Sequence, residues 1–284
     1  MPIGSTVKKF ARAIAVLISA LKKGGYATFE VSVRENGSLL NGKRVLITGG
    51  GSGIGLSIAT RFVSMGATVL ITGRSAQKLD AARSSLGDDR LKTAVWDIAD
   101  IGTVASCVAH AGTLLGGHID VLINNAATID VVDFPNVPEE SWDKIYGTNS
   151  KGLFFLSQEV CKTWLDDDAT LGKKIINISS QGAFVGATYP YRMSKWDVAG
   201  FTQGLALKMA PHGVIVNGIA PGIVATAMQP GLQSQDDNAF LPLNPIGRHA
   251  LPEEIAELAL FMASDLSNFI VGQTIVCDGG FSLK

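Results

Sequence analysis

The 284-residue sequence has few cysteines, no excess of charge of one sign and no long apolar run. Its three cysteines stand alone, which argues against a disulfide framework or a CxxC-type zinc site and favours a reducing compartment, so we predict a cytoplasmic protein. The 24 Lys and Arg residues balance 25 Asp and Glu residues, so no global positive field exists to attract nucleic acid. No apolar run reaches the roughly 18 residues that span a bilayer. The histidines lack metal-ligand spacing and the GxSxG motif is absent, so we predict neither a metal site nor a serine hydrolase.

Residues 1–40 differ from the rest of the chain, and we predict that they form an extension to a single domain at 41–284. Apolar residues recur at helical spacing within residues 7–23, and five cations fall on the opposite face of that helix. Alternation at 29–33 then predicts a short strand. Three roles stay open for the amphipathic helix: docking on its own domain or on a sister subunit, peripheral membrane contact, and an organelle presequence.

From Lys43 onward, apolar β-branched runs alternate with helical stretches. Runs that are apolar on both faces are typical of parallel strands covered by helices on each side, which predicts a doubly wound, Rossmann-type α/β sheet. The stretch Gly222–Gly247 lacks a clear period, and we expect a substrate lid there. The seven predicted strands are Val45–Thr48, Val69–Thr72, Leu91–Trp96, Val121–Asn124, Lys174–Ser179, Val214–Gly218 and Thr274–Cys277.

A glycine-rich turn follows the first predicted strand and precedes a helical pattern. Such a turn lets backbone amides approach a pyrophosphate, and the helix N-terminus stabilises its negative charge. The second strand ends in Gly73-Arg74, where NAD-binding proteins carry an acid for the ribose 2′-OH. Because that acid is missing and the Arg74 guanidinium matches a phosphate, we predict NADP(H) in preference to NAD(H). The cofactor-binding residues predicted in the turn are Gly49, Gly51, Ser52, Gly53, Ile54 and Gly55.

Further motifs follow in order: Asn124-Asn125-Ala126-Ala127, Asn149, Ser180, Tyr191-x-x-x-Lys195 and Pro221-Gly222. By these motifs, residues 43–284 resemble the short-chain dehydrogenase/reductase superfamily. The resemblance implies a Rossmann-type fold, a nicotinamide cofactor and a homodimer or homotetramer. It also implies cofactor contacts at Asp97 and Ile98 near the adenine, at Asn125 on the adenosine side, and at the backbone of Ile223 near the nicotinamide amide. The sequence departs from the family pattern at Ala127, where glycine is usual, and in the shorter spacing between Ser180 and Tyr191.

The same resemblance implies four catalytic residues: Asn149, Ser180, Tyr191 and Lys195. A free tyrosine with a pKa near 10 is a poor base at neutral pH, but a nearby cation favours the phenolate and lowers the pKa. Tyr191 and Lys195 share one face if 189–211 is helical. We therefore expect Tyr191 to act as general acid/base, with Lys195 lowering its pKa and, as the family pattern implies, holding the nicotinamide ribose. The family pattern further implies that Ser180 and Tyr191 bind the substrate oxygen, and that Asn149 holds a water linking Lys195 to solvent.

These observations predict an NADP(H)-dependent enzyme that interconverts a small-molecule carbonyl and an alcohol by hydride transfer. One alternative is a catalytically silent nucleotide-binding scaffold or sensor, against which the intact catalytic set argues. Another is an enoyl reductase acting on C=C bonds, but such relatives commonly space tyrosine and lysine more widely, and position 188 is not a tyrosine. The substrate and the physiological direction stay open. We expect a substrate wall of Gln181, Phe184 and Val185, closed over by Met228, Leu232, Phe240 and Leu241.

Overall fold

The computed structural model describes residues 38–283 apart from Val131, Asp168 and 227–243, together with Ile14 and Ile18. The predicted short strand and all but two residues of the predicted amphipathic helix lie outside the described residues. Ile14 and Ile18 have helical backbone and half-exposed side chains. Most of the predicted substrate lid, including its four closing side chains, also lies outside. The roles assigned to these segments therefore stay predictions.

The chain divides into two compact units, residues 1–34 and residues 35–284. In the second unit, strands and helices alternate, and the predicted strands are confirmed with differences of a few residues at their ends. The strands are β1 (Arg44–Thr48), β2 (Thr68–Gly73), β3 (Leu91–Val95), β4 (Val121–Asn124), β5 (Lys174–Ile178), β6 (Ile215–Pro221) and β7 (Thr274–Cys277). The helices are α1 (Gly53–Ser64), α2 (Ala76–Leu86), α3 (Val104–Leu115), α4 (Glu139–Tyr146), α5 (Leu153–Asp166), α6 (Pro190–Met209) and α7 (Pro252–Ala263), and a π-helical turn at Gly147–Gly152 joins α4 to α5.

In the described chain, the seven strands form one parallel sheet in the order β3-β2-β1-β4-β5-β6-β7. Ile47 of β1 pairs with Ile71 of β2 on one side and with Ile123 of β4 on the other. The strand order therefore reverses direction between β1 and β4. In open α/β sheets, ligands bind outside the carboxyl ends of the strands at such a reversal. The glycine-rich turn leaves β1 at this point.

Helices cover both faces of the sheet, which is why the strands are apolar on both sides. Val45 and Ile47 point to the face covered by α1 and α7, where Phe62 is fully buried. Leu46 points to the opposite face, where Trp164 of α5 is fully buried and donates its indole N–H to the carbonyl of Ile119 at 2.8 Å. Each such buried side chain contributes roughly 1.5–3 kcal/mol. Among the described residues, no helix combines the length and the apolar character that crossing a bilayer requires.

Candidate active site

The turn between β1 and α1 is packed tightly against the loop that follows β4. Asn125 donates its side-chain N–H groups to the carbonyls of Thr48 at 3.0 Å and Gly49 at 3.1 Å. A Cβ added at Gly55 would lie 2.5 Å from both the Gly49 carbonyl oxygen and Asn125 Nδ2, so only glycine fits there. Helix α1 follows Ser52 without a side-chain cap, which leaves its first N–H groups free for an anion. The turn therefore fits a nucleotide pyrophosphate.

A cleft of about 510 Å³ runs from this turn along the carboxyl ends of the strands to α6. Gly55 is buried behind the turn and Ile223 lies between two lining residues, so neither lines the cleft itself. Gln181, Phe184 and Val185 of the expected substrate wall are also absent from the lining. The predicted cofactor residues that do line the cleft are Gly49, Gly51, Ser52, Gly53, Ile54, Arg74, Asp97, Ile98, Asn125, Tyr191 and Lys195.

One end of the cleft carries two cations, Arg74 and Lys78. Ser75 caps α2 between them and accepts a hydrogen bond from the backbone N–H of Lys78 at 3.3 Å. Asp97 lies at the same end, where its carboxylate accepts from the backbone N–H of Ala99 at 3.0 Å. The sequence analysis missed Lys78. Its place four residues after Arg74, just beyond the second predicted strand, was the available signal.

The other end of the cleft brings together Ser180, Tyr191 and Lys195. Ser180 follows β5, and its side chain hydrogen-bonds to the Tyr191 hydroxyl. Lys195 Nζ lies 5.7 Å from the centroid of the Tyr191 ring and donates to the carbonyl of Ile178 at 2.9 Å. The neighbouring Ser179 is buried and donates its hydroxyl to the main-chain carbonyl of Lys195 at 2.8 Å, which ties β5 to α6. Strand and helix thus hold the two side chains of α6 beside Ser180.

Burial dominates the ionisation of both side chains on α6. Burial raises the pKa of Tyr191 above its ordinary value of 10.0, and the hydrogen bond from Ser180 offsets only part of that rise. Burial also lowers the pKa of Lys195 from 10.5 to about 8. In each case the charged form loses its hydration and is disfavoured. We expected a Tyr191 pKa below its ordinary value, and that expectation is wrong for this geometry, because burial outweighs the groups that favour the phenolate.

Asn149 lies in the π-helical turn and is 1% exposed. Its Oδ1 accepts from the backbone N–H of Thr128 at 2.8 Å, and its Nδ2 donates to the Thr128 carbonyl at 3.0 Å and to Ser194 Oγ at 3.0 Å. Both side-chain N–H groups are thus taken up by protein, and the water that we expected Asn149 to hold stays a prediction. Asn149 does not line the cleft, whereas its neighbour Thr148 does. The sequence analysis missed Thr128 and Ser194, because their contacts join segments that are distant in the sequence.

A family model described as "Enoyl-(Acyl carrier protein) reductase" matches residues 49–282. The chain is 34% identical over 249 residues to the gluconate 5-dehydrogenase of Gluconobacter oxydans (strain 621H), covering 86% of this chain and 96% of that protein. It is also 34% identical over 249 residues to the 3-oxoacyl-(acyl-carrier-protein) reductase of Chlamydia pneumoniae, covering 86% of this chain and 98% of that protein.

The crystal structure of a short-chain type dehydrogenase/reductase from Mycobacterium marinum matches the fold with a TM-score of 0.79 and 30% sequence identity, covering 86% of this chain and 97% of that chain. The family match, the relatives and the fold agree with the order of the motifs along the sequence. The chain belongs to the short-chain dehydrogenase/reductase superfamily of nicotinamide-dependent oxidoreductases.

Proposed function

We propose that the protein is an NADP(H)-dependent enzyme that interconverts a carbonyl and an alcohol, with Tyr191 as the general acid/base. One observation carries the proposal: a single cleft joins the glycine turn at β1 to Ser180, Tyr191 and Lys195. Relatives named as a gluconate dehydrogenase and a 3-oxoacyl reductase support chemistry at a C–OH or C=O group. The description of the family model points to an enoyl reductase, but neither of those two relatives is named as one.

A bound nicotinamide would supply or accept the hydride. In the reductive direction, the hydroxyls of Ser180 and Tyr191 hold the carbonyl oxygen, and Tyr191 gives its proton to that oxygen. The raised pKa of Tyr191 keeps the phenol protonated at neutral pH, which is the form that an acid catalyst needs. The hydrogen bond from Ser180 then favours the phenolate, and the Lys195 ammonium lies close enough to stabilise that charge. In oxidation, the phenolate takes the proton back.

The charge at the far end of the cleft supports NADP(H). A 2′-phosphate carries a charge of roughly −1.5 to −2, which one guanidinium neutralises only in part. Arg74 and Lys78 both line that end, and within the described chain neither forms an ion pair. Lys78 also packs against the glycine turn, since its Cβ would lie 3.4 Å from a Cβ added at Gly51. Two unpaired cations at this place favour a doubly charged group.

The cofactor assignment is tested by Arg74→Ala and Lys78→Ala, with Lys208→Ala on α6, outside the cleft, as the control. We expect each of the first two variants to weaken NADPH binding by about 10-fold, because each loses a charge-assisted contact. NADH binding should change little. Titration of NADPH and NADH fluorescence measures both. Equal losses of affinity for NADPH and NADH would place Arg74 and Lys78 at the pyrophosphate instead of the 2′-phosphate.

The chemistry is tested with purified protein, NADPH and a panel of carbonyl compounds that includes 5-keto-D-gluconate and acetoacetyl thioesters. Turnover is followed by NADPH absorbance. We expect Tyr191→Phe to lose turnover and keep NADPH binding, whereas Tyr189→Phe, whose position lies outside the cleft lining, keeps both. Turnover in Tyr191→Phe equal to that of the unchanged protein would remove Tyr191 from the chemistry and with it this proposal.

A homodimer or homotetramer is proposed for the assembly. A groove of about 740 Å³ lies along α4, α5 and α6 and is lined by Phe154, Phe155 and Phe201. Phe154 is 43% exposed, and such an apolar groove is typical of a surface covered by another chain. Light scattering on the purified protein measures the oligomeric state. The compartment and the role of residues 1–40 stay predictions.

A further inference from the structure

We infer that Ser194 is a positioning residue for Tyr191, an inference that rests on the proposed function. Ser194 is fully buried on α6, one residue before Lys195. Its hydroxyl accepts from Nδ2 of Asn149 at 3.0 Å and donates to the main-chain carbonyl of Tyr191 at 2.7 Å. The Ser194 hydroxyl thus both accepts and donates a hydrogen bond, and the bond that it donates goes to Tyr191, the proposed acid/base residue.

Ser194 completes a hydrogen-bonded chain from the cofactor side of the cleft to Tyr191. The chain begins at Thr128, which follows the cleft-lining Ala127 and exchanges two hydrogen bonds with Asn149 at 2.8 and 3.0 Å. It continues through Asn149 and Ser194 to the Tyr191 carbonyl. The side chains of Asn149 and Ser194 that form these bonds are buried, so water does not compete for them. The chain therefore fixes the first turns of α6 against the loop after β4.

The ties between β5 and α6, from Ser179 to the Lys195 carbonyl and from Lys195 to the Ile178 carbonyl, lie one turn after Tyr191, and the N-terminus of the helix has no side-chain cap. The helix follows Tyr189 without a side-chain cap, and Pro190 occupies its first turn without a backbone N–H to donate. A serine that donates to the carbonyl three residues earlier also bends the helix slightly. Loss of the Ser194 hydroxyl should therefore relax this turn and shift the Tyr191 hydroxyl away from Ser180. Small displacements of this kind are enough to slow a reaction that depends on alignment.

The same helix provides a matched control in Thr202. It is fully buried, accepts from Nδ2 of Asn177 at 2.9 Å and donates to the carbonyl of Val198 at 2.7 Å. The pattern of bonds is the same, but Thr202 does not line the cleft or contact Tyr191. Ser194→Ala and Thr202→Val should lower the midpoint of thermal unfolding to a similar extent. A change in kcat or in the Tyr191 pKa that appears only in Ser194→Ala then reports on the position of Tyr191 and not on the stability of the protein.

The experiment compares these variants, using NADPH and the compound of the panel that the unchanged enzyme reduces fastest. We expect Ser194→Ala to lower kcat by about 10- to 100-fold while the Kd for NADPH stays unchanged. Thr202→Val should retain both values. Ser194→Cys, which keeps a weak donor of similar size, should fall between Ser194→Ala and the unchanged enzyme.

A second readout needs no substrate. Ultraviolet titration of the phenolate, with Tyr191→Phe subtracted, should show that Ser194→Ala raises the pKa of Tyr191 by about half a unit or more, because its hydrogen bond from Ser180 weakens. A kcat and a titration in Ser194→Ala that match those of Thr202→Val would overturn the inference. If Tyr191→Phe is inactive in that case, the proposed function stands and only the positioning role fails. If Tyr191→Phe is active, the proposed function itself fails.

Discussion

Replacement of Gly55 by alanine is the sharpest geometric test of the nucleotide site. Gly55 lies in the first turn of α1, and an added Cβ would lie 2.5 Å from Gly49 O, 2.5 Å from Asn125 Nδ2 and 3.0 Å from Gly50 Cα. Two of these atoms belong to backbone, so α1 must move away from the turn or the Asn125 carboxamide must give up its bonds at 3.0 and 3.1 Å. Overpacking costs typically about 1–3 kcal/mol and each lost hydrogen bond about 0.5–1.5 kcal/mol. We therefore expect a loss of about 2–4 kcal/mol in the free energy of unfolding.

The matched control is Gly112→Ala in α3. A Cβ there would meet only the Gly117 carbonyl oxygen, at an ordinary contact distance of 3.6 Å. Because alanine restricts the unfolded chain more than glycine, we expect a gain of about 0.5–1 kcal/mol. Urea unfolding measures the stability of both variants. NADPH fluorescence should show binding at least roughly 10-fold weaker for Gly55→Ala, because a shift of α1 moves the N–H groups that face the phosphate. A Gly55→Ala protein as stable as the unchanged one, with an unaltered Kd, would refute this reasoning.

Two further predictions concern charge. Burial alone would raise the pKa of Asp120, but the hydrogen bonds from Arg44 and Lys173 outweigh it and hold this pKa below 3.8. The ionised carboxylate therefore stabilises the folded protein above pH 3.8. This stabilisation is lost as the pH falls through the lower pKa that Asp120 has in the folded protein. Asp120→Asn should cost about 2–4 kcal/mol at neutral pH, and in urea unfolding its difference from the unchanged protein should shrink below pH 3.8. The second concerns Lys195, whose pKa is about 8. The kcat/KM for carbonyl reduction should be constant near neutral pH and fall as Lys195 loses its proton above about pH 8, because the phenolate of Tyr191 then lacks a cation. A kcat/KM that stays constant up to about pH 10 would contradict this prediction.

Local patterns in the sequence predicted the strands, the glycine turn and the helix that carries Tyr191 and Lys195. These features depend on residues that are close in the sequence: an apolar run such as 45–48 forms a buried strand, and two residues four apart share one helix face. The place of the cleft at the carboxyl ends of the strands follows from a general rule for parallel sheets, whereas the order of the strands was given only by the tertiary structure. The pattern also singled out Arg74, which directly follows β2 and lines the cleft.

The pKa values and the buried contacts were decided by the tertiary structure. Spacing alone predicted that Lys195 lowers the pKa of Tyr191, but burial raises that pKa, and burial depends on every element that packs around the cleft. The partners of Asn149 are likewise Thr128 and Ser194, which lie 21 and 45 residues away in the sequence. Hydrogen bonds and desolvation act through space, so the sequence determined which groups could react, and the packing of the chain determined their charge and alignment.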